Sequence, residues 1–337
     1  MKKTLSLILS LVMIFALCAC GQQAAPAAEP AAAAAEPAAD SAAAQQTFTV
    51  GICQLVQHEA LDAATQGFKD ALVEELGDAV VFDEQNAAGD IPNCSVICNS
   101  FVSNNVDLIM ANATPALQAA VAATDTIPVL GTSITEYGVA LDIDGFNGLV
   151  GGNISGTSDL APLDQQAQMI LDLFPDTKTV GVLFCSAEAN SVYQVKVVSE
   201  FLEGKGVTVK QFSFADSNDV SAVTTSACAE CDALFIPTDN TAASCAEAIG
   251  NITEPANIPV FTGEEGPCKI CGVATLTIDY YSLGQTTGKM AAKILKGEAD
   301  ISEMEIEYFA NPVKKFNPAM AEAFGLELSS DFVAIEG

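Results

Sequence analysis

The stretch CDALFIPTDNTAAS, residues 231–244, contains a short apolar run, a polar turn and a helix-forming segment. The run at 233–236 has the composition of a buried β-strand. Pro237 ends it, and Asp239 follows where a helix is predicted to begin. The chain contains no arginine that could pair with such an acid. The sequence therefore raises the question of what role an acid has at the end of a buried strand.

The same pattern occurs earlier in the chain. VDLIMANATPALQAA, residues 106–120, aligns with the opening stretch, and one helix later IPVLGTS (127–133) matches IPVFTGE (258–264). An internal repeat of this kind predicts two similar α/β lobes with a cleft between them. Apolar strands that alternate with helices predict two doubly wound, mainly parallel sheets covered on both faces.

Composition limits the class of partner. The chain has 337 residues, half of them hydrophobic, which is enough for two domains with cores of their own. Its 13 basic and 43 acidic residues argue against nucleic acid as a partner, because phosphate binding needs clusters of Lys or Arg. The same acidity disfavours adhesion to anionic lipid by charge alone.

The N-terminus has the features of a targeting segment. A basic MKK precedes the apolar run TLSLILSLVMIFAL, which is too short for a comfortable membrane span. LCAC (17–20) resembles the lipobox of bacterial lipoproteins, which predicts a signal peptide at 1–20 and a lipid on Cys20; plain secretion is the alternative. Residues 21–46 are rich in Ala, Pro and Glu and are predicted to be a linker.

Five separated blocks carry a resemblance to a known family. They are GICQLVQHEALDAATQGF, DLIMANATPALQAA, CSAEANSVYQV, FIPTDNTAAS and TLTIDYYSLGQTTGKMAAKILKG. From about Thr47 to the C-terminus, the chain resembles the ABC-transporter substrate-binding lipoproteins of the tryptophan/tyrosine type. The resemblance implies a type I periplasmic-binding fold, in which a three-strand hinge joins lobes at 47–160 plus 280–312 and at 161–279 plus 313–337.

The resemblance also implies a function. It predicts a monomeric, lipid-anchored, extracytoplasmic protein that is not an enzyme, has no cofactor or metal, and delivers a free amino acid to an ABC permease. An aromatic amino acid is the first expectation, and a branched-chain or other small amphipathic solute is the alternative. A sugar is disfavoured, because sugar clefts use tryptophan and arginine and the chain has neither.

The strand ends are where such a ligand would bind. Without arginine, its carboxylate is expected to meet helix N-termini and hydroxyls such as that of Thr114. Its ammonium group is expected to meet a carboxylate, Asp239 first and Asp279 second, and Tyr280 and Phe184 are expected to form an aromatic wall. The predicted ligand-binding residues are Gln54, His58, Thr114, Pro115, Ser133, Asn190, Ser191, Thr238, Asp239, Asn240, Gly263, Glu264, Asp279 and Tyr280.

Simpler roles exist for several of these residues. Asp239, Thr114 and Ser191 are ordinary helix-capping types, and a single histidine such as His58 is often a surface or capping residue. Asp279 and Tyr280 could equally fix the hinge.

Two other classes of protein are alternatives to a solute-binding protein. The sequence has no nucleophile elbow, P-loop, GxGxxG or HExxH, which argues against an enzyme. The pairs Cys228/Cys231 and Cys268/Cys271 raise the alternatives of a four-thiolate zinc site or a thiol-based redox protein. Zinc is disfavoured, because the two pairs are expected at opposite edges of the sheet. A local disulfide or free thiols remain open for each pair.

Overall fold

Two β-sheets form the centres of two lobes. A computed structural model describes residues 47–336, and the predicted signal peptide (1–20) and linker (21–46) lie outside the described residues. The strands of the first sheet are Phe48–Gln54 (β1), Val80–Asn86 (β2), Leu108–Asn112 (β3), Val129–Ile134 (β4), Ile154–Ser158 (β5) and Glu307–Tyr308 (β11). Their spatial order is β11-β5-β4-β3-β1-β2, and every neighbouring pair is parallel.

The second sheet repeats this design with one reversal. Its strands are Thr179–Cys185 (β6), Thr208–Phe214 (β7), Ala233–Ile236 (β8), Val260–Thr262 (β9), Ala274–Thr277 (β10), Val313–Phe316 (β12) and Val333–Ala334 (β13). They lie in the order β13-β12-β10-β9-β8-β6-β7, and β12 runs antiparallel to β10. The two-lobed α/β fold expected from the repeat is confirmed.

Helices cover both faces of each sheet. Within residues 47–336 the α-helices are Glu59–Leu76 (α1), Ile91–Ser103 (α2), Thr114–Ala123 (α3), Tyr137–Ala140 (α4), Leu163–Leu173 (α5), Ala189–Gly204 (α6), Val220–Glu230 (α7), Asn240–Ser244 (α8), Ala246–Ala256 (α9), Glu265–Cys271 (α10), Tyr280–Leu295 (α11) and Pro318–Ala323 (α12). Short 3-10 helices occur at Gly77–Ala79 and Ile301–Glu303. The helix expected from Thr241 begins one residue earlier and is divided at Cys245 into α8 and α9.

Burial explains the apolar strands. All residues of β3, β4, β8 and β10 are buried, as expected of strands with helices on both faces.

Among the described residues, none of the helices combines the length and the apolar character that crossing a bilayer requires.

The chain passes between the two sheets three times. The connections are 159–178 between β5 and β6, 278–306 between β10 and β11, and 309–312 between β11 and β12. After the second crossing, α11 packs against α1 of the first lobe. A Cβ atom added at Gly284 would lie 2.0 Å from the backbone oxygen of Ala64, so only glycine allows this close approach.

Candidate ligand-binding site

A small pocket lies between the lobes, at the carboxyl ends of the strands. The space among its lining residues, part of which is open to solvent, is about 210 Å³. The first lobe and the crossings provide six of its ten lining residues, His58, Leu61, Ser133, Thr135, Asp159 and Tyr280, and the second lobe provides Asn190, Thr238, Asn240 and Glu264. Strand ends that meet at one edge bring these distant residues together.

Asp159 follows β5 at the first crossing and is 4% exposed. The hydroxyl of Tyr280 donates to its Oδ2 over 2.9 Å. Its Oδ1 is buried and has no hydrogen-bond partner within residues 47–336. Burial raises the pKa of Asp159 to about 6, although the hydrogen bond from Tyr280 opposes that shift.

Two further residues on the second lobe have unpartnered acceptors. The amide nitrogen of Asn190 donates to the backbone oxygen of Thr238 over 3.0 Å. The amide oxygen Oδ1 of Asn190 has no donor in the described part of the chain. Glu264 follows β9, is 1% exposed, and likewise has an unpartnered Oε2. Burial and the nearby charge of Asp159 raise the pKa of Glu264 well above its usual range.

The first lobe offers hydroxyl groups instead. Ser133 lines the pocket, and Thr114 is the first residue of α3; their buried hydroxyl oxygens have no partner in residues 47–336. Both stand beside strained backbone, because Ser133 itself has φ +56° and Ala113 has φ +91°. Non-glycine residues in this region are uncommon and concentrate at functional sites. No side chain caps α3.

Asp239 lies behind the pocket lining. Its Oδ2 accepts from the backbone N–H of Cys185 over 2.6 Å, and its Oδ1 accepts from the N–H of Ala242 over 2.7 Å. Burial, and then the charge of Glu188, raise the pKa of Asp239 to about 7. The residue thus ties β6 to the start of α8, which is a structural reason for an acid at the end of β8 without any arginine.

Glu188 has a comparable role that the sequence did not suggest. Its Oε1 accepts from the backbone N–H and the hydroxyl of Thr241, and its Oε2 accepts from the backbone and side-chain nitrogens of Asn240 and from Asn190. The carboxylate therefore adds, from another element, to the cap that Asp239 provides at the start of α8.

His58 joins the two lobes. Its Nε2 lies 3.2 Å from Oδ1 of Asn240. Burial lowers the pKa of His58, and the charges of Glu188 and Asp62 only partly oppose that shift. The histidine is therefore neutral at pH 7 and adds no positive charge to the cleft.

Half of the predicted ligand-binding residues line this pocket, namely His58, Ser133, Asn190, Thr238, Asn240, Glu264 and Tyr280. Gln54 is instead engaged with Asp62 and Thr65. Asp279 caps α11 and lines a separate, solvent-open groove. Five other predicted residues are buried but do not line this pocket: Thr114, Pro115, Ser191, Asp239 and Gly263. The expected wall residue Phe184 belongs to the core of the second lobe, so that expectation is wrong.

Three lining residues were missed: Leu61, Thr135 and Asp159. A signal existed for Asp159, because it follows the strand ISGTS as Asp239 follows ALFI. That strand is rich in Gly, Ser and Thr, which hides it from a search for apolar runs.

The cysteines of the described residues are free thiols. Burial raises the pKa of Cys231 to about 11 and that of Cys271 to about 12, which disfavours a reactive thiolate at either. Helix α10 returns Cys271 to the same apolar cluster as Cys231, so its expected position at the opposite edge is wrong. No group of three His, Cys, Asp or Glu side chains in residues 47–336 is arranged to hold a metal.

Known proteins share this fold and its cleft. Residues 49–334 match the family described as ABC transporter substrate binding protein. The chain belongs to this family. It is therefore a substrate-binding protein of an ABC transporter: it binds a small molecule outside the cytoplasm, works with a permease and is not an enzyme.

Three individual proteins illustrate this similarity. The chain is 34% identical over 256 residues to a tyrosine-binding protein of Clostridioides difficile, covering 74% of this chain and 73% of the relative. It superposes with a TM-score of 0.81 on an ABC domain from Streptococcus pneumonia in complex with L-Trp, at 31% identity over 85% of this chain and 97% of that one. The ligand-free, open structure of an adhesive substrate-binding protein from Clostridium difficile gives a TM-score of 0.65 at 34% identity, with 86% and 99% covered.

Proposed function

We propose that this substrate-binding protein binds a free amino acid, with an aromatic one as the first candidate. The observation that carries this proposal is the buried, unpartnered Oδ1 of Asp159 in a pocket whose lining contains no lysine. A buried carboxylate needs a cation or donors. An ammonium group has three N–H donors, and the unpartnered oxygens of Asp159, Asn190 and Glu264 give it acceptors.

The carboxylate of the ligand has donors on the first lobe. The free hydroxyls of Ser133 and Thr114 and the N-terminus of α3 favour an anion there. A zwitterion would place its negative end at these groups and its positive end between Asp159, at the first crossing, and the acceptors of Asn190 and Glu264 on the second lobe. Closure would then be favoured because the second lobe adds acceptors for the ammonium group.

Asp239 is the weaker candidate for accepting the ligand's ammonium group. The sequence hypothesis that it accepts the ammonium group stays a prediction, but both its oxygens already accept from backbone N–H groups. Asp159 is the stronger candidate, because one of its oxygens is free and it lines the pocket.

The aromatic preference rests on the relatives. A tyrosine-binding protein and a structure with L-Trp are both more than 30% identical to this chain. Tyr280 and Leu61 in the pocket lining would contact a ring.

A thermal-shift and calorimetric panel tests the proposal. L-tyrosine, L-tryptophan, L-phenylalanine and L-leucine are compared with tyramine, which lacks the carboxylate, and N-acetyl-L-tyrosine, which lacks the ammonium group. An aromatic amino acid should stabilise the fold by about 2.7 kcal/mol at 100 times its Kd, and both analogues should bind far more weakly. Preference for L-leucine would support the branched-chain alternative, and binding of N-acetyl-L-tyrosine equal to that of L-tyrosine would refute the proposed ammonium site.

We also propose that a lipid on Cys20 anchors the protein through the linker at 21–46. The two lobes, 47–160 plus 280–312 and 161–279 plus 313–337, would then open and close outside the membrane and present the ligand to the permease. The support for the anchor is the lipobox-like LCAC.

A further inference from the structure

Glu264 differs from the other carboxyl groups around the cleft in having no donor at its side chain. Asp239 and Glu188 each accept at both oxygens, and Asp159 accepts from Tyr280. The hydroxyl of Thr262 donates to Glu264, but to its backbone oxygen. The carboxyl Oε2 is buried without a partner in residues 47–336, in a side chain that is 1% exposed.

Within residues 47–336, no lysine lines the pocket that contains Glu264. Lys315 is paired with Glu265 over 2.5 Å, and the single histidine, His58, is neutral because burial lowers its pKa. The charged groups that act on Glu264 are all acidic: Asp159, Asp239, Glu188 and Glu59. The hydroxyl of Tyr280, which also faces the pocket, donates to Asp159.

An ammonium group cannot neutralise all of these acids. One positive charge matches one carboxylate, and Asp159 is already available for it. An ionised Glu264 would then be a buried charge without donor or cation, which costs far more than protonation. A carboxyl group in contact with water has a pKa of about 4.3 and is ionised at neutral pH, and we expect Glu264 to be in this state when the lobes are apart.

We propose that Glu264 contacts the bound ligand as a neutral carboxyl group, and that closure of the lobes over the ligand takes up one proton from solvent. The proton is held as an O–H bond on Glu264, and no other covalent bond changes. A neutral carboxyl group is both donor and acceptor, so Glu264 donates a hydrogen bond to the ligand in a cleft that has no arginine. This inference rests on the proposed function.

Calorimetry with L-tyrosine at pH 7 in phosphate, HEPES and Tris counts the protons exchanged. The expected result is an uptake of nearly one proton per ligand bound. The Kd should rise between pH 7 and pH 8, where His58 is largely neutral in either state, up to a limit of about tenfold per pH unit for one proton. Glu264→Gln, which is permanently neutral, should bind without uptake and with a flat pH profile. The neighbouring Glu265→Gln is the matched control and should retain the uptake.

Infrared difference spectra of the wild type, with and without L-tyrosine, give a second measurement that needs no variant. A protonated-carboxyl C=O band should appear on binding. Proton release, zero exchange or absence of the band overturns the inference, and so does an uptake that Glu264→Gln leaves unchanged. Binding without uptake overturns this inference alone, whereas no binding by any amino acid of the panel overturns the proposed function as well.

Discussion

Replacing Asp159 should mainly weaken ligand binding, whereas replacing Asp239 should mainly lower the free energy of unfolding. Asp159→Ala removes the acceptor proposed for the ligand's ammonium group and leaves that charge desolvated in the closed cleft. Loss of one partner of a buried charge pair costs about 2–5 kcal/mol of binding, which is roughly 30-fold to several thousand-fold in Kd. Folding should change less, because removing a buried carboxyl group relieves a desolvation cost while the hydroxyl of Tyr280 loses its acceptor.

Asp239→Ala should behave in the opposite way. It removes the cap of α8, about 1 kcal/mol, and leaves the buried N–H of Cys185 without its acceptor, about 1–3 kcal/mol. Together these are about 2–4 kcal/mol, a large fraction of a typical folding free energy of about 5–15 kcal/mol. The molecules that remain folded should bind the ligand within about threefold of wild type.

Urea unfolding and calorimetric titration of the same preparations measure both quantities. Asp159→Asn and Asp239→Asn are the matched conservative variants, and each should fall between its alanine variant and the wild type. If Asp239→Ala retains wild-type stability and loses binding by more than 30-fold, the assignment made from the hydrogen bonds is wrong and the hypothesis from the sequence is right.

Three further predictions follow from other parts of the chain. Cys20→Ser should leave the protein unlipidated and largely released from membranes or retained as its precursor, and an N-terminal peptide of unchanged mass in an equally retained variant would contradict this. The purified folded domain should contain no stoichiometric zinc, and about one zinc per chain by elemental analysis, lost on replacing Cys228 and Cys268, would contradict it. Gly284→Ala should destabilise folding by at least about 1–3 kcal/mol, because its Cβ would lie 2.0 Å from the oxygen of Ala64; Gly204→Ala, with open space around it, is the control, and equal urea midpoints would refute the packing argument.

The fold was predictable from the sequence because its signals are local and repeated. Apolar strands such as ALFI and LIMAN each end at a polar turn followed by a helix, and the repetition of this unit indicates the two lobes. Two features were harder to predict from the sequence. One is the interruption of a helix at Cys245, and the other is the return of Cys271 to the apolar cluster that contains Cys231. Both depend on the packing of short helices, which periodicity does not describe.

The site was predictable only in part. His58, Ser133, Asn190 and Glu264 were found because every strand end of a parallel sheet faces the cleft. Asp159 was missed, since the strand before it contains Gly, Ser and Thr and reads as a loop.

The distinction between a structural acid and a ligand-binding acid depends on donors that the sequence does not reveal. Asp239 and Glu264 both follow buried strands of the second lobe, and by sequence they are equivalent. In the fold, Asp239 meets two backbone N–H groups from different elements, whereas Oε2 of Glu264 has no donor among residues 47–336. An acid whose oxygens are occupied stabilises the lobe, and an acid whose oxygens are free in a closed pocket must receive a proton or a ligand. A chain without arginine can therefore use several acids in one cleft, provided that all but the ligand's partner are supplied with donors or protons.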